Sequence, residues 1–162
     1  MDKCVFRPVR PSDLQQVCQF PQNEMELFSS FPSATFPLSV EQLEKVIEER
    51  HASSVLELNN EVVGFSNLYN LVAGESVFIG NVFISPRYRQ QGLGELLIRS
   101  MMQLAFENYA VHKTRVSCFQ FNEKAMRLYE RIGFERYDRE TRVDPHGNEV
   151  ELLHMEYTER NR

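Results

Sequence analysis

The sequence predicts a mixed α/β (α+β) fold, in which a mostly antiparallel sheet of six to seven strands is flanked by about four helices. A strand, a proline, a glycine-containing loop and a helix follow one another within residues 79–101. A second strand and helix follow within residues 114–132. Two pairs of β-rich runs, each pair joined by a short turn, lie before and after these units. Strands interleaved with helices in this way are typical of a sheet covered by helices.

Length and composition limit the classes of protein to consider. The 162 residues fit one domain over residues 1–162, with ordinary hydrophobic and charged contents of 42% and 25%. The net charge of −5 argues against a nucleic-acid partner. No apolar run approaches the roughly 18 residues of a membrane span, the first residues contain no apolar signal segment, and Cys4, Cys18 and Cys118 form no C-x-x-C pair. We therefore expect a cytoplasmic protein that binds no membrane and no metal.

The amino-terminal third predicts one strand and two helices. Residues 5–8 form the first strand, and the Pro-Ser-Asp sequence at 11–13 opens a helix. Residues 20–37 contain three prolines and four phenylalanines, which predict an irregular segment. The Ser-Val-Glu-Gln sequence at 39–42 is a capping box, which predicts a helix that ends near Arg50.

The remaining elements follow from alternating runs, turn residues and one long helical pattern. A hairpin turns at residues 59–61, and the helix after the glycine loop continues to about Tyr109 without an internal proline. Gly133 is a suitable end for the last helix, which covers residues 122–132. The predicted strands cover residues 54–58, 62–69, 76–84, 114–119, 134–143 and 149–157.

The loop between the central strand and the long helix carries the clearest chemical signal. Val82, Phe83 and Ile84 suit a buried strand, which Ser85 and Pro86 end. Backbone N–H groups at the start of a helix lack partners, and glycine lets a ligand approach them closely. With the helix dipole, they predict a phosphate site. The loop residues are Arg89, Gln90, Gln91, Gly92, Leu93 and Gly94.

The spacing of these glycines excludes two common phosphate loops and matches a third. Glu95 follows Gly94 where a P-loop has lysine, and the three ordered glycines of a dinucleotide fingerprint are absent. The sequence Arg-Gln-Gln-Gly-Leu-Gly at 89–94 resembles the acyl-CoA pyrophosphate loop, Gln/Arg-x-x-Gly-x-Gly/Ala, of the GNAT superfamily of N-acetyltransferases. A second hallmark of that family, Asn-x-x-Ala-x-x-Leu-Tyr-x-x-x-Gly-Phe, matches residues 122–134. Residues 82–134 carry the resemblance clearly, and the flanks carry it loosely.

The resemblance implies a sheet geometry and a co-substrate, acetyl-CoA. In this family the central strand and the strand at 114–119 run parallel and then splay, and the pantetheine arm fills the gap as an extra strand would. Main-chain groups of Val82 and Ile84 would then bind the amides of the arm, with Phe83 between them. Asn122 would cap its helix and reach the same arm, while the loop at 89–94 would hold the diphosphate. Dimers are common among similar proteins, which leaves a homodimer open.

The resemblance also assigns Tyr129 the role of the general acid that protonates the departing thiolate. A phenol with an ordinary pKa of about 10 is protonated at neutral pH. Asn122 and Tyr129 are seven residues apart, so both project from nearly one side of the helix. With Ala125, Leu128 and Ile132, however, Tyr129 also completes a stripe of the i, i+3, i+4, i+7 type, which is typical of a core residue.

The sequence does not identify a general base. Relatives place a glutamate early on the central strand or on the following strand, where this chain has Phe78, Asn81 and Ser117. A water chain could serve instead, and isolated acids and histidines are more often surface residues. The remaining candidates are Glu24, Glu75, His112 and His146.

These features predict an acyl-CoA-dependent N-acetyltransferase of the EC 2.3.1 type. An acetyl group would move from acetyl-CoA to a primary amine by direct attack in a ternary complex, and the amine would belong to a small molecule, a peptide or a protein N-terminus. The phenylalanines of residues 20–37 either line the acceptor pocket or only anchor the loop. One alternative is a CoA-binding sensor or partner module without turnover, which the missing carboxylates favour. The other is a different acyl-CoA donor.

Overall fold

The computed structural model describes residues 2–159, and the strands of this part of the chain belong to one seven-stranded sheet. The strands are β1 (Cys4–Pro8), β2 (His51–Leu58), β3 (Glu61–Val72), β4 (Ser76–Ile84), β5 (Lys113–Phe119), β6 (Glu135–Val143) and β7 (Glu149–Thr158). They lie in the order β1-β2-β3-β4-β5-β7-β6. β4 and β5 are parallel, and the other neighbours are antiparallel. This confirms the predicted sheet with its parallel central pair.

Five α-helices belong to the described part of the chain. They are α1 (Leu14–Cys18), α2 (Glu24–Ser30), α3 (Val40–Glu49), α4 (Leu93–Asn108) and α5 (Glu123–Ile132). Two short 3-10 turns, Pro11–Asp13 and Pro86–Tyr88, precede α1 and α4.

The second helix, α2, corrects the prediction that residues 20–37 are irregular. The Asn23 side chain caps it by accepting a hydrogen bond from the Glu26 N–H at 2.9 Å. The three prolines of the segment lie outside the helix, so they bound it rather than interrupt it. The polar cap and the two glutamates of the first turn are the local signals that identify this helix.

Of the three apolar clusters among the described residues, the two largest cover the two faces of the sheet. The larger cluster contains Leu97, Ile98 and Met101 of α4 and residues of α5, and packs on one face. The smaller cluster joins α1, α2 and α3 to the other face, where Phe65 of β3 and Phe83 of β4 are buried. Since successive strand residues point to opposite faces, the central strands contribute to both clusters.

β4 and β5 separate soon after they begin. Their pairing consists of Ser76 with Lys113, Val77 with Thr114 and Phe78 with Arg115, and it ends there. The antiparallel pairing of β4 with β3 also shifts register, because β4 carries one extra residue between the Gly80 and Phe83 pairs. Asn81 sits at this bulge with a φ of +47°. A bulge bends its strand, which accounts for the gap between β4 and β5 and confirms the predicted splay.

Candidate active site

A cavity of about 830 Å³ lies where β4 and β5 separate, between the start of α4, α5 and α2. Two predicted residues do not line it, since Gln91 lies on the exposed loop and Leu93 is buried in the larger apolar cluster. The predicted cofactor-binding residues that line it are Val82, Phe83, Ile84, Arg89, Gln90, Gly92, Gly94 and Asn122. The fold therefore brings the two sequence motifs to one cavity.

The loop before α4 presents bare backbone to this cavity. Gln90 and Gly92 have φ values of +62° and +81°, which turn the chain sharply into the helix. The first helical hydrogen bond runs from the Leu96 N–H to the Gly92 carbonyl at 3.2 Å, so the preceding N–H groups have no partner within the helix. Within residues 2–159, no side chain caps this end of α4. These N–H groups and the helix dipole make an anion site.

The space in front of the two glycines is open. A Cβ atom on Gly92 would meet no protein atom within 4 Å, and one on Gly94 would meet only the Leu128 side chain, at 3.4 Å. A ligand can therefore approach the backbone here without displacing protein atoms, which is the arrangement that a diphosphate requires.

Three basic side chains that the sequence reading did not identify also line the cavity. They are Lys124, Arg127 and Arg131, all exposed on α5. Their i, i+3, i+7 spacing places them on one face of the helix, so the periodicity that predicts the apolar stripe of α5 also reveals a basic one. Positive charge at this mouth favours a ligand with several phosphate groups.

Arg89 is held in place rather than extended into the cavity. Its guanidinium donates two hydrogen bonds of 3.0 Å to the Glu26 carboxylate and one of 3.0 Å to the Phe20 carbonyl. Burial raises the pKa of Glu26, but the bonds from Arg89 and the Gln22 N–H outweigh it and lower that pKa overall. The loop before α4 is thereby tied to α2, and a direct contact between Arg89 and a cofactor stays a prediction.

The edge of β4 that faces the gap has the pattern expected for strand addition. The side chains of Val82 and Ile84 are half-buried and line the cavity, while Phe83 is buried against the smaller apolar cluster. Because the pairing with β5 ends at Phe78, the later main-chain groups on this edge face the gap. An extended ligand with amide groups can pair with them.

Asn122 and Tyr129 occupy different positions at the inner side of the cavity. The Asn122 side chain caps α5 by accepting a hydrogen bond from the Ala125 N–H at 3.3 Å, and it lines the cavity. Tyr129 lies deeper, only 7% exposed, with its ring edge-on to Phe134 at 5.8 Å between centroids. Leu128 beside it reaches the cavity, but Tyr129 does not line it. The expectation of a core position for Tyr129 is confirmed, and its role as an acid stays a prediction.

The surroundings of Tyr129 keep its phenol protonated. Burial raises its pKa, and smaller effects of the nearby Cys118 and Tyr69 raise it further. Cys118 is buried on β5, where burial raises the pKa of its thiol to about 12. The Tyr129 phenol is therefore protonated at neutral pH, as a proton donor must be.

The four candidates for a general base lie at two separate places. Glu75 and His112 are exposed at the end of the sheet where β4 and β5 begin. Glu24 at the start of α2 and His146 in the β6–β7 turn approach each other to 3.7 Å and are both exposed. None of the four lines the cavity.

At Ser117, the structure reveals a contact that sequence reasoning did not find. Its hydroxyl lies 2.8 Å from Nδ1 of His154 on β7, and Nε2 of His154 lies 2.9 Å from the Glu140 carboxylate on β6. The three residues come together only when β5, β7 and β6 pair. They form no motif, so no local signal in the sequence could have identified them.

Two kinds of feature are absent from residues 2–159. No group of three or more histidine, cysteine, aspartate or glutamate side chains within residues 2–159 is arranged to hold a metal ion. None of the helices described is both long and apolar enough to cross a membrane.

The known proteins that this chain resembles are acetyltransferases. The model of the acetyltransferase (GNAT) family matches residues 15–134. The SPbeta prophage-derived uncharacterized N-acetyltransferase YokL of Bacillus subtilis (strain 168) is 22% identical over 138 residues, which are 82% of this chain and 76% of that protein. The spermine/spermidine N(1)-acetyltransferase of the same strain is 36% identical over 59 residues, 36% of this chain and 39% of that enzyme.

A solved structure extends the agreement to the whole fold. It is that of spermidine N-acetyltransferase from Vibrio cholerae in complex with CoA and spermine, and it superimposes with a TM-score of 0.81. The match covers 96% of this chain and 95% of that one at 19% identity.

Proposed function

The chain belongs to the acetyltransferase (GNAT) family, and we propose that it transfers an acetyl group from acetyl-CoA to a primary amine by direct attack in a ternary complex. The observation that carries this proposal is the gap between β4 and β5, which leads to the uncapped start of α4. A ligand with a diphosphate at one end and an amide-bearing arm suits both features. CoA has this chemistry, and its acetyl thioester supplies an activated acyl carbon and a sulfur leaving group.

Different residues of the cavity would bind different parts of this co-substrate. The N–H groups of the loop around Gly92 and Gly94 would hold the diphosphate, with Lys124, Arg127 and Arg131 adding positive charge. The main chain on either side of Phe83, at Val82 and Ile84, would pair with the arm, and Asn122 would bind beside it.

Tyr129 would protonate the sulfur as the carbon–sulfur bond breaks. Its position two turns into α5, beside Cys118 and beneath the cavity, suits a group that meets the inner end of the arm. The raised pKa keeps the proton on the phenol until the thiolate forms.

The acceptor is proposed to be a cationic primary amine, and the names of the relatives suggest the first amines to test. The experiment measures release of free thiol from acetyl-CoA in the presence of spermidine, spermine, lysine and a peptide with a free amino terminus. The same peptide with an acetylated terminus is the matched control. Thiol release that depends on a free amine supports transfer, and propionyl-CoA and succinyl-CoA in parallel define the donor.

A negative result would have a clear meaning. If isothermal titration shows that CoA binds but no amine of the panel stimulates thiol release, the proposed transfer is wrong. The same fold would then act as a CoA-binding sensor, the alternative that the missing carboxylates favour.

A further inference from the structure

The second helix, α2, crosses the gap between β4 and β5 on the sheet face opposite α4 and α5. At the β4 end, the Ser30 carbonyl accepts a hydrogen bond from the Asn81 side chain at 2.9 Å. At the β5 end, the Phe28 ring stacks on the Phe119 ring, with 4.6 Å between their centroids. Phe119 points to this face because it follows Cys118, which belongs to the larger apolar cluster on the opposite face. The helix therefore covers the gap from the side away from α4 and α5.

A third ring extends this aromatic stack to the cavity. The Phe121 ring stacks on Phe119, with 5.4 Å between centroids and 14° between the ring planes. Phe28 and Phe119 are buried, but Phe121 is 43% exposed and lines the cavity. The Gln120 N–H donates to the Glu151 carbonyl of β7 at 2.9 Å, which holds this short segment against the sheet. The fold thus presents to the cavity an aromatic face that two buried rings support.

The part of α2 that lines the cavity carries an apolar side chain at its start and hydroxyl groups at its end. Met25 and Ser29 both line the cavity, and their spacing of four residues puts them on one face of the helix, about 6 Å apart along its axis. Met25 also packs against the third apolar cluster, which contains Phe28 and Phe119. Ser30 lines the cavity next to Ser29, and its bond from the bulge of β4 places it near the start of the gap.

The acidic side chains that line the cavity are already paired. Among the described residues they are Glu26 and Glu95. Glu26 accepts two hydrogen bonds from Arg89, and Glu95 accepts one each from Arg99 and Arg131, all at 3.0 Å. A second ammonium group on the acceptor would have to break one of these pairs to find a carboxylate, and the basic face of α5 would repel it. The cavity therefore favours an acceptor whose one positive charge is on the reacting amine.

We infer that the acceptor is a primary amine with an aromatic ring or a similar apolar group close to its nitrogen, an inference that rests on the proposed acetyl transfer. The ring stacks on Phe121 as a further member of the aromatic stack, and the flexible thioether of Met25 packs against it. The amine then lies near the end of α2, where Ser29 and Ser30 offer hydroxyl oxygens to its N–H groups. Phe121 determines the specificity for the acceptor without contacting the reacting atoms.

In this arrangement the two substrates reach the gap from opposite faces of the sheet. The cofactor binds on the face of α4 and α5, and the acceptor binds on the face of α2. Ser117 points to the face of α2, because its neighbours on β5 belong to the larger apolar cluster. The hydrogen-bonded side chains of His154 and Glu140 lie on that face with it.

The test measures kcat/KM for acetyl transfer to three primary amines, which are 2-phenylethylamine, ethylamine and spermidine. The wild-type protein should use 2-phenylethylamine at least about tenfold better than either of the others, because burial of the ring contributes as an apolar side chain does. In Phe121→Ala, the ratio of kcat/KM for 2-phenylethylamine to that for ethylamine should fall about tenfold. Phe36→Ala is the matched control, because Phe36 is similarly exposed, at 39%, but does not line the cavity.

A second variant, Phe121→Glu, should reverse the preference. The position is exposed, so the fold can accommodate a charged side chain there. The new carboxylate should raise the ratio of kcat/KM for spermidine to that for ethylamine about fivefold, and the ratio for 2-phenylethylamine should fall as in Phe121→Ala. In the same assay, two peptides that begin with phenylalanine and with glycine show whether the ring belongs to a free amine or to the first residue of a chain.

The outcomes separate this inference from the proposed function. A wild-type protein that acetylates spermidine better than 2-phenylethylamine, or a Phe121→Ala protein with the wild-type ratio, would overturn the inference and leave acetyl transfer intact. An equal loss with all three amines, together with a higher Kd for CoA by isothermal titration, would place Phe121 against the cofactor arm and would also overturn it. A wild-type protein that binds CoA but acetylates no amine would instead refute the proposed function, and this inference with it.

Discussion

The two sides of the gap between β4 and β5 are built in different ways. The side that we propose for the cofactor consists of two short continuous segments, residues 82–94 and 122–134, and its loop presents backbone N–H groups to a ligand. The side that we propose for the acceptor carries single side chains from β5, β6 and β7, which hydrogen bonds hold together. One side depends on local chain geometry, and the other depends on the pairing of distant strands.

The contacts that hold the helices on the two sides differ as well. α4 rests on the larger apolar cluster, where Leu97, Ile98 and Met101 are fully buried. On the other face, polar bonds add to the smaller apolar cluster in fixing the helices. The Asn81 side chain donates to the Ser30 carbonyl of α2 at 2.9 Å, and Arg7 of β1 pairs with Asp13 at the start of α1. We therefore expect mutations on the cofactor side to act on binding, and polar mutations on the acceptor side to act on catalysis or stability.

The largest effect should come from Gly92→Val. The added side chain would cover the N–H groups that face the diphosphate, and the loss of two charge-assisted hydrogen bonds should raise the Kd for CoA by about 10²-fold or more. Gly74→Val is the matched control, because Gly74 has a similar φ of +75° and equally open space but lies in the β3–β4 turn. Isothermal titration measures both. Equal losses in the two variants would mean that backbone strain, rather than the phosphate site, determines the result.

Tyr129→Phe tests whether the deepest residue of the cofactor side takes part in the chemistry. We expect kcat to fall about 10²-fold while the Kd for CoA stays nearly unchanged, because only the proton donor is removed. Tyr157→Phe removes a hydroxyl from the same aromatic cluster around Phe134 and should leave kcat unchanged. A Tyr129→Phe enzyme of wild-type rate would limit Tyr129 to its role in the core.

Asp13→Asn tests the polar support of the acceptor side. Hydrogen bonds from Arg7 lower the pKa of Asp13 against the opposing effect of burial, and the Arg10 N–H lowers it further. A carboxyl whose pKa is lower in the folded protein stabilises it fully above its ordinary value of 3.8, and this contribution disappears as pH falls through the lower folded value. The variant should therefore be about 2 kcal/mol less stable at pH 7, and the difference should shrink in strong acid.

Urea unfolding at pH 7 and at low pH measures this difference, and Asp138→Asn on the exposed strand β6 is the control. An equal loss of stability at both pH values would show that packing, and not the charge of Asp13, secures α1.

The contrast between the two sides also explains how much the sequence predicts. Gly92, Gly94 and the Asn122 cap are features of continuous segments whose local geometry the residues themselves determine, and the structure has them where the sequence places them. The separation of β4 and β5 was implied by the family resemblance and is confirmed. Sites that bind through the backbone of a continuous segment can thus be predicted from a single sequence.

The residues of the acceptor side are harder to predict from the sequence, for a physical reason. Ser117, His154 and Glu140 have no sequence spacing that defines a function, and they become neighbours only through the register of three strands. The prolines around α2 also led to a wrong prediction of irregular structure, because they lie just outside the helix. Side-chain clusters of this kind require the fold before they can be recognised.

The smallest effect should come from the ion pair that joins the two sides. Arg89 of the loop before α4 and Glu26 of α2 are about one-third exposed, with side-chain exposures of 39% and 35%, so the pair should contribute about 1 kcal/mol. If the pair only braces the loop, Arg89→Gln and Glu26→Gln should each weaken CoA binding about fivefold. The double variant should then be no worse than Arg89→Gln alone, because that single change already removes both bonds between Arg89 and Glu26. A Glu26→Gln protein that binds CoA more tightly, beside an Arg89→Gln protein that binds it less tightly, would show that Arg89 acts on the phosphate directly and that Glu26 competes for it.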